Sequence, residues 1–387
     1  MKNQYFQQPV AAAFARGAFA AIISIAAVVS VTACSSNTKR PQPVELGAVT
    51  PLVAAPQIWT SRVGPVTFAL QPGVANNTIS LASDDGTVVL LDALTGRDIW
   101  RVALASPISA GVGSDGSTAA VVMKSNELVT LRNGRELWRQ KLAAQVFTAP
   151  FVAGGRVFVL AADRSVNAFD GETGRKLWTQ QRPNEPLVLK QGGVLLAVGD
   201  TLVVGLAGRL VGLNPLNGSV RWESPLASPR GINDVERLVD LVGGIYREAD
   251  TVCARAFQAS IGCVNAARGN LLWTRPANGT QGIGGDSRLI FGSESDGSVI
   301  ALKTSDGEKA WVSDRLRYRS LSLPLVAGRS VVVGDSLGNL YLLSREDGSL
   351  LNRLTTDGSA ISANPVLSGK TMVVVTRSGG VFGYQPE

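Results

Sequence analysis

The stretch Ala168-Phe169-Asp170-Gly171-Glu172-Thr173-Gly174-Arg175-Lys176-Leu177-Trp178 carries the pattern that decides the fold. An apolar run ends at an Asp, a short polar turn ends at a Gly, and a Trp follows four residues later. Asp and Gly favour the backbone conformations that a tight turn between antiparallel strands needs. We therefore predict a hairpin here, with the Trp on its second strand and its large side chain packed between neighbouring sheets.

The same pattern recurs at intervals of about forty residues. The seven tryptophans are Trp59, Trp100, Trp138, Trp178, Trp222, Trp273 and Trp311. Successive tryptophans are 41, 38, 40, 44, 51 and 38 residues apart. From Trp100 onward, the glycines that precede them by four residues are Gly96, Gly134, Gly174, Gly218, Gly269 and Gly307. Gly348 precedes Asn352 in the same way, so Asn352 takes the place of an eighth Trp. A fixed period of this length indicates a repeat architecture.

Each repeat also contains strand signals upstream of its turn. Runs rich in β-branched residues, such as 87–91, 156–160 and 330–333, are bounded by short polar turns such as 84–86. These runs are typical of short strands, and no long helical period interrupts them. Four short strands per forty residues, repeated around a centre, are typical of a β-propeller. The sequence thus predicts an all-β fold built from four-stranded antiparallel blades.

The two ends of the chain predict the number of blades and the way the ring closes. Seven repeats end at positions 100, 138, 178, 222, 273, 311 and 352. An eighth, 353–387, stops before its own Trp strand, whereas 57–60 is a Trp strand with no blade before it. We predict an eight-bladed β-propeller over residues 51–387, with the ring closed by the N-terminal strand. The alternative is an open solenoid, which would leave both half-repeats unpaired.

The first 33 residues have the composition of a signal peptide. The positive charges Lys2 and Arg16 come before an apolar stretch at 18–31, which is short for a membrane-spanning helix. The stretch ends in Val31-Thr32-Ala33-Cys34, which resembles a bacterial lipobox. An ordinary signal peptide with a chance Cys and a single-pass anchor are the alternatives.

The lipobox resemblance implies cleavage before Cys34 and lipid attachment to that residue. Diacylglycerol on the thiol and an acyl chain such as palmitate on the new amine would give stable anchoring. Ser35, rather than Asp, follows Cys34, which implies export to the outer membrane. Residues 34–50 are rich in small and polar residues and are interpreted as a flexible tether between the lipid and the propeller.

Composition argues against several classes of function. The chain has no histidine and only three cysteines, which removes the commonest general base and the usual ligands of a zinc cluster. The net charge is +7, but the basic residues are scattered and no aromatic-plus-basic stripe accompanies them. We therefore expect no catalytic residues, no metal, no cofactor and no nucleic-acid partner.

Two cysteines remain beside Cys34. Cys253 and Cys263 lie ten residues apart, on what the pattern predicts to be adjacent strands joined by a turn near Gln258. In an oxidising periplasm this arrangement suggests a disulfide. Two buried free thiols are the alternative. A redox-active pair would usually be closer in sequence.

The pattern at 168–178 closely resembles the repeat of the pyrroloquinoline-quinone (PQQ) propellers, and the resemblance covers nearly all of 52–387. Two branches share this repeat: the quinoprotein dehydrogenases and the BamB family of lipoproteins in the outer-membrane β-barrel assembly (Bam) machinery. The lipobox, the chain length and the lack of adjacent cysteines favour the BamB family.

Membership of the BamB family would imply a non-enzymatic scaffold lipoprotein on the periplasmic face of the outer membrane. It would dock on BamA as a single copy, assist the folding and insertion of β-barrel proteins, and offer strand edges to unfolded outer-membrane proteins. The alternatives are a periplasmic PQQ-dependent oxidoreductase and a cell-wall-associated propeller with an unrelated partner.

The same resemblance implies a site for the periplasmic POTRA region of BamA on two loops. Leu187-Val188-Leu189-Lys190 resembles the family's Leu-x-Leu-Arg loop, with Lys190 in place of the Arg. Residues 236–242 resemble its acidic loop, which includes Arg237 and Asp240 here but has Val242 where a second Asp is expected. The expected partner-binding residues are Leu187, Leu189, Lys190, Arg237 and Asp240. A half-buried strand at 187–189 and a plain loop acid at Asp240 are the alternatives.

Overall fold

The computed structural model describes residues 41–182, 187–229, 232 and 238–387. Within these ranges the secondary structure consists of 32 β-strands, without a helix. The strands form eight separate four-stranded sheets, which confirms the predicted eight-bladed β-propeller. A search of the same ranges finds no helix long and apolar enough to span a bilayer. The predicted signal peptide and Cys34 lie outside the described residues.

Blades 1 to 7 each use four consecutive strands. Blade 1 contains β2 (Gly73–Ala75), β3 (Thr78–Ala82), β4 (Thr87–Asp92) and β5 (Asp98–Ala103). Blade 2 contains β6 (Ile108–Ser114), β7 (Thr118–Met123), β8 (Glu127–Arg132) and β9 (Arg135–Lys141). Blade 3 contains β10 (Phe151–Ala153), β11 (Arg156–Leu160), β12 (Val166–Asp170) and β13 (Lys176–Gln180). Blade 4 contains β14 (Leu195–Val198), β15 (Thr201–Leu206), β16 (Arg209–Leu213) and β17 (Val220–Pro225).

The second half of the ring repeats this plan. Blade 5 contains β18 (Leu241–Glu248), β19 (Thr251–Ala256), β20 (Ser260–Asn265) and β21 (Asn270–Pro276). Blade 6 contains β22 (Ile283–Gly285), β23 (Leu289–Ser293), β24 (Val299–Lys303) and β25 (Lys309–Ser313). Blade 7 contains β26 (Leu325–Ala327), β27 (Ser330–Gly334), β28 (Asn339–Ser344) and β29 (Leu350–Thr355). Blade 8 contains β30 (Val366–Ser368), β31 (Thr371–Val375), β32 (Gly380–Tyr384) and β1 (Gln57–Arg62).

The ring closes through blade 8, as the sequence predicts. Strand β1 pairs antiparallel with β32, with Thr60 opposite Phe382 and Ser61 opposite Val381. The first strand of blade 8, β30, also contacts β2 of blade 1. The outermost strand of the last blade therefore comes from the other end of the chain, and the two half-repeats complete each other.

The contact between Trp138 and Gly174 explains the spacing of the repeat. Gly174 ends the outer turn of blade 3 with a φ of 70°. A Cβ added to Gly174 would lie 2.5 Å from Cδ2 of Trp138, which belongs to blade 2. The indole nitrogen of Trp138 also donates a 2.9 Å hydrogen bond to the carbonyl oxygen of Gly171 in the same turn. The Gly therefore permits the turn and also makes room for the Trp of the preceding blade.

The other blades repeat this contact. The further pairs of Trp and turn Gly are Trp59 with Gly96, Trp100 with Gly134, Trp178 with Gly218, Trp222 with Gly269, Trp273 with Gly307, and Trp311 with Gly348. Five of the seven tryptophans donate from their indole nitrogen to a backbone carbonyl of that turn: Trp59, Trp138, Trp178, Trp273 and Trp311. The predicted packing of Trp between neighbouring sheets is confirmed by these contacts.

The ring has two distinct faces. On one, which we call the hairpin face, the first and third turns of each blade meet, as in the 2.8 Å hydrogen bond from Gly171 N to Gly155 O. On the other, which we call the connection face, the second turn of a blade meets the link from the preceding blade. An example is the 2.8 Å hydrogen bond from Ala162 N to Gln145 O. All links between blades therefore lie on the connection face.

Part of the expected tether lies against the propeller. Val44 N donates a 3.2 Å hydrogen bond to Arg317 O, and Arg319 Nη2 donates one of 2.8 Å to Val44 O. Leu46 packs against the apolar cluster that contains Leu316. Residues 44–46 are thus held at the link between blades 6 and 7, on the connection face. Residues 34–40 of the expected tether lie outside the described residues.

Candidate partner-binding site

The two loops that the family resemblance indicates both lie on the connection face. Residues 187–190 belong to the link between β13 and β14, and Asp240 belongs to the link between β17 and β18. Arg237, which we also expected to contribute, lies outside the described residues. The two links precede and follow blade 4, and they meet where Leu189 N donates a hydrogen bond to Asp240.

The first loop presents an apolar side chain and a cation to solvent. Leu187 is 39 % exposed, Leu189 is half-buried and Lys190 is exposed. None of residues 187–190 belongs to a strand. The alternative in which Leu187 and Leu189 alternate along a half-buried strand is therefore wrong. An exposed Leu next to an exposed ammonium is suited to a partner with an apolar pocket bordered by acid.

The carboxylate of Asp240 points into the site rather than away from it. Its Oδ1 accepts a 2.7 Å hydrogen bond from Arg164 Nη1, and its Oδ2 accepts one of 2.9 Å from Leu189 N. The Asp240 side chain is only 15 % exposed. Both carboxylate oxygens are thus used within the protein, and one of them fixes the backbone of the first loop.

Arg164 is the residue that joins the two loops, and the sequence analysis missed it. Besides its ion pair with Asp240, its Nη2 donates a 2.8 Å hydrogen bond to Leu187 O. Its side chain is only 6 % exposed. It comes from the second turn of blade 3, so a third element supplies the link between the loops.

A sequence signal for Arg164 does exist. Arg164 occupies a turn position where φ is 62°, a value that non-Gly residues adopt at a cost. The residues with positive φ at the equivalent turn in other blades include Gly86, Asn126, Gly297, Gly338 and Gly379. An Arg where most repeats have Gly or Asn is the anomaly that would have directed attention to this position.

Val242 is the second residue of β18 and is only 1 % exposed. It pairs with Arg255 across the blade. A side chain at this position faces the interior, so Val242 adds no polar group to the surface beside Asp240. The site accordingly contains one acid, Asp240, among its described residues.

Cys253 and Cys263 lie away from these loops. They face each other directly on β19 and β20, with a Cα–Cα distance of 4.0 Å, and their sulfurs are joined in a disulfide. Both residues are fully buried within blade 5. Their position fits a role in the stability of the blade.

The central channel does not fit a quinone and calcium centre. A chamber of about 570 Å³ runs along the innermost strands, lined largely by Gly, Pro and aliphatic residues. Among its described lining residues, Arg247 is the sole charged one, and none is acidic. In the described ranges no three His, Cys, Asp or Glu side chains are grouped to hold a metal ion. Calcium prefers several carboxylate and carbonyl oxygens, so these residues are a poor match for that centre.

A family model described as "Outer membrane protein assembly factor BamB" matches residues 84–313 of the chain. The chain belongs to the BamB family. The BamB of Burkholderia pseudomallei is 36 % identical over 374 residues, which cover 95 % of this chain and 98 % of that protein. The BamB of Bordetella pertussis is 33 % identical over 90 % of this chain and 91 % of its own length.

The solved structures agree with the fold. The crystal structure of BamB from Moraxella catarrhalis superposes with a TM-score of 0.78 at 22 % identity, covering 86 % of this chain and all of that one. The quinohemoprotein alcohol dehydrogenase of Comamonas testosteroni superposes with a TM-score of 0.65 at 13 % identity, covering 86 % and 76 %. At these identities both matches speak for the propeller fold alone, so BamB membership rests on the family model and the sequence relatives.

Proposed function

We propose that this BamB-family protein is a non-enzymatic scaffold lipoprotein of the Bam complex. It docks on the periplasmic POTRA region of BamA and assists the folding and insertion of β-barrel proteins. The observation that carries the proposal is the meeting of the 187–190 loop and Asp240 on one face of a BamB-family propeller. Leu189 and Asp240, which are 51 residues apart in sequence, meet there.

The chemistry of that surface suits protein docking. Leu187 offers exposed apolar area on a backbone that Arg164 and Asp240 hold in place. A fixed apolar side chain loses little conformational entropy on binding, so more of its burial appears as affinity. Lys190 adds a charge at the edge, where it would speed association with an acidic partner more than it tightens the complex.

The number of residues before Val44 limits how far the propeller can lie from the lipid anchor. The residues from Cys34 to Val44 span ten steps (44 − 34 = 10), since Val44 is held by Arg317 and Arg319. An extended linker of that length reaches roughly 35 Å. Acylation of Cys34 would therefore tether the propeller to the outer membrane.

The PQQ-dependent oxidoreductase is the weaker candidate. The dehydrogenases share the fold, but fold alone does not assign a reaction. The lining of the central chamber lacks acidic residues in its described part, and the sequence has no adjacent cysteines. The chemistry of the channel gives no support to quinone catalysis.

Co-purification from the native host tests the proposal. We would tag the C-terminus, solubilise the envelope in mild detergent, and compare wild type with a Leu187→Ala/Leu189→Ala variant. The matched control is Leu216→Ala/Leu367→Ala, which removes two exposed leucines from the hairpin face. We expect BamA with wild type and control but little with the loop variant. If BamA accompanies all three equally, the site is wrong; if wild type captures none, the docking function is wrong.

A further inference from the structure

We infer that Arg164 is a positioning residue for partner binding, and that Asp240 acts through Arg164 and the Leu189 amide rather than by touching the partner. This inference rests on the proposed docking function. It changes which atoms the partner meets: the exposed edge of Leu187 with Lys190, not the carboxylate of Asp240.

The hydrogen bonds support an indirect role for Asp240. One carboxylate oxygen lies 2.7 Å from Arg164 Nη1 and the other 2.9 Å from Leu189 N. With the Asp240 side chain 15 % exposed and the Arg164 side chain 6 % exposed, a cation on the partner would have to displace Arg164 to reach the carboxylate. Leaving a buried guanidinium without its partner is strongly unfavourable, so that exchange is disfavoured.

The geometry explains why an Arg is used. The planar guanidinium reaches the Asp240 carboxylate with one terminal nitrogen and the Leu187 carbonyl with the other. A Lys ammonium cannot reproduce this planar fork. An Arg at positive φ carries a backbone strain. Two charge-assisted hydrogen bonds offset that cost, since each is stronger than a neutral one.

These contacts also indicate which kind of partner surface would fit the site. The clamp of Arg164 and Asp240 is neutral as a pair, so the charge that the site offers is that of Lys190. The complementary surface should therefore be an apolar groove that accepts Leu187, with a carboxylate beside it for Lys190. A basic groove on the partner would suit an Asp240 carboxylate that is free to bind it. It does not suit a carboxylate that is already paired with Arg164.

A double-mutant cycle with full-length protein and detergent-solubilised BamA of the same host tests this. The variants are Arg164→Gln, Asp240→Asn and the double variant, with Arg132→Gln as control because it breaks an ion pair with Glu172 on the hairpin face. We expect each single variant to bind about 10-fold more weakly, and the double variant about 10-fold rather than 100-fold, because both remove one shared link. The dependence of Kd on salt should stay as in wild type, and the control should bind normally.

Additive losses would overturn the inference. A second result would also overturn it: Asp240→Asn binds BamA weakly and with a smaller salt dependence of Kd, whereas Arg164→Gln binds normally. That pattern is the behaviour of a direct charge contact between Asp240 and the partner. Arg164→Lys should not restore binding; full restoration would show that a charge alone suffices.

A second measurement tests, in the absence of BamA, the clamp that Arg164 and Asp240 form with the backbone at Leu187 and Leu189. Hydrogen exchange at Leu189 N–H should be faster in Arg164→Gln and Asp240→Asn than in wild type or Arg132→Gln, because the amide loses its ordered acceptor. Unchanged exchange would contradict the clamp even if a variant binds weakly. If wild type binds no BamA but the exchange result holds, the docking function fails, and with it the role of Arg164 in binding, while the clamp stands.

Discussion

Asn352 Nδ2 donates a 2.9 Å hydrogen bond to Val53 O, which joins positions 299 residues apart. Asn352 occupies the Trp position of blade 7. In the other blades the Trp packs under a turn Gly of the next blade, but blade 8 has no such turn, because the two chain ends meet there. The smaller amide replaces the indole as the donor at the joint of the ring.

The first prediction concerns this joint. Asn352→Ala should lower the free energy of unfolding by about 1–3 kcal/mol, because the buried Val53 carbonyl loses its donor. Urea denaturation of the purified protein measures the change. The control is Asn270→Ala at an exposed site on β21, which should change stability by about 0.5 kcal/mol or less. Equal effects of the two substitutions would show that the joint does not depend on Asn352.

The second prediction separates the two roles of the turn Gly. Gly174→Ala should destabilise the protein by about 2–5 kcal/mol, since it combines a left-handed Ala with a clash against Trp138. Gly154→Ala is the matched control: φ is 58° there, but nothing lies within 4 Å of the added Cβ. It should cost only about 1–2 kcal/mol. If urea denaturation gives the same loss for both, the Trp contact adds nothing to the turn.

The blades were predictable because each is specified by local chemistry that repeats. The turn at 170–174 and Trp138 or Trp178 at a fixed spacing determine a blade and its contact with the next. The closure by β1 followed from the two half-repeats. The local sequence does not predict that residues 44–46 lie at the link between blades 6 and 7. Their position depends on contacts with Arg317 and Arg319, which are distant in sequence.

The site was predictable only in part, for the same reason. Resemblance indicated the 187–190 loop and Asp240, but not that Arg164 links them. Arg164 is 76 residues from Asp240 and 23 from Leu187. A contact of that kind depends on how two links and one turn fold over one another. The sequence marks Arg164 only as an Arg at a turn position where most repeats have Gly or Asn.

The third prediction concerns acid stability. Burial opposes ionisation of Asp357, but hydrogen bonds from Ser378, Thr376 and Ser359 outweigh it and lower its pKa to about 2. A carboxyl whose pKa is lower in the folded state than its ordinary 3.8 stabilises the fold above that value, and the contribution disappears as the pH falls towards 2. Asp357 is exposed, so the effect should be modest.

Thermal unfolding as a function of pH measures this contribution. The Tm of wild type should exceed that of Asp357→Asn at neutral pH, and the gap should narrow as the pH drops from the ordinary carboxyl pKa to about 2. Asp314→Asn, at an exposed acid that forms a 3.8 Å ion pair with Arg317, is the control and should show a smaller gap. A gap that stays constant across this range would contradict the role of Asp357.

The last prediction concerns the cystine of blade 5. Alkylation of the denatured, unreduced protein should leave Cys253 and Cys263 unmodified, and reduction should expose both to the reagent, as read by mass spectrometry. Replacing both with Ala should destabilise the protein by at most about 2–3 kcal/mol, because the bond closes a short loop. BamA capture should be unchanged at a temperature where the variant is folded, since both residues are buried away from Leu187 and Asp240. Alkylation of both thiols without reduction would mean that the pair is reduced in the cell. Loss of BamA capture by a folded variant would place blade 5 within the docking surface.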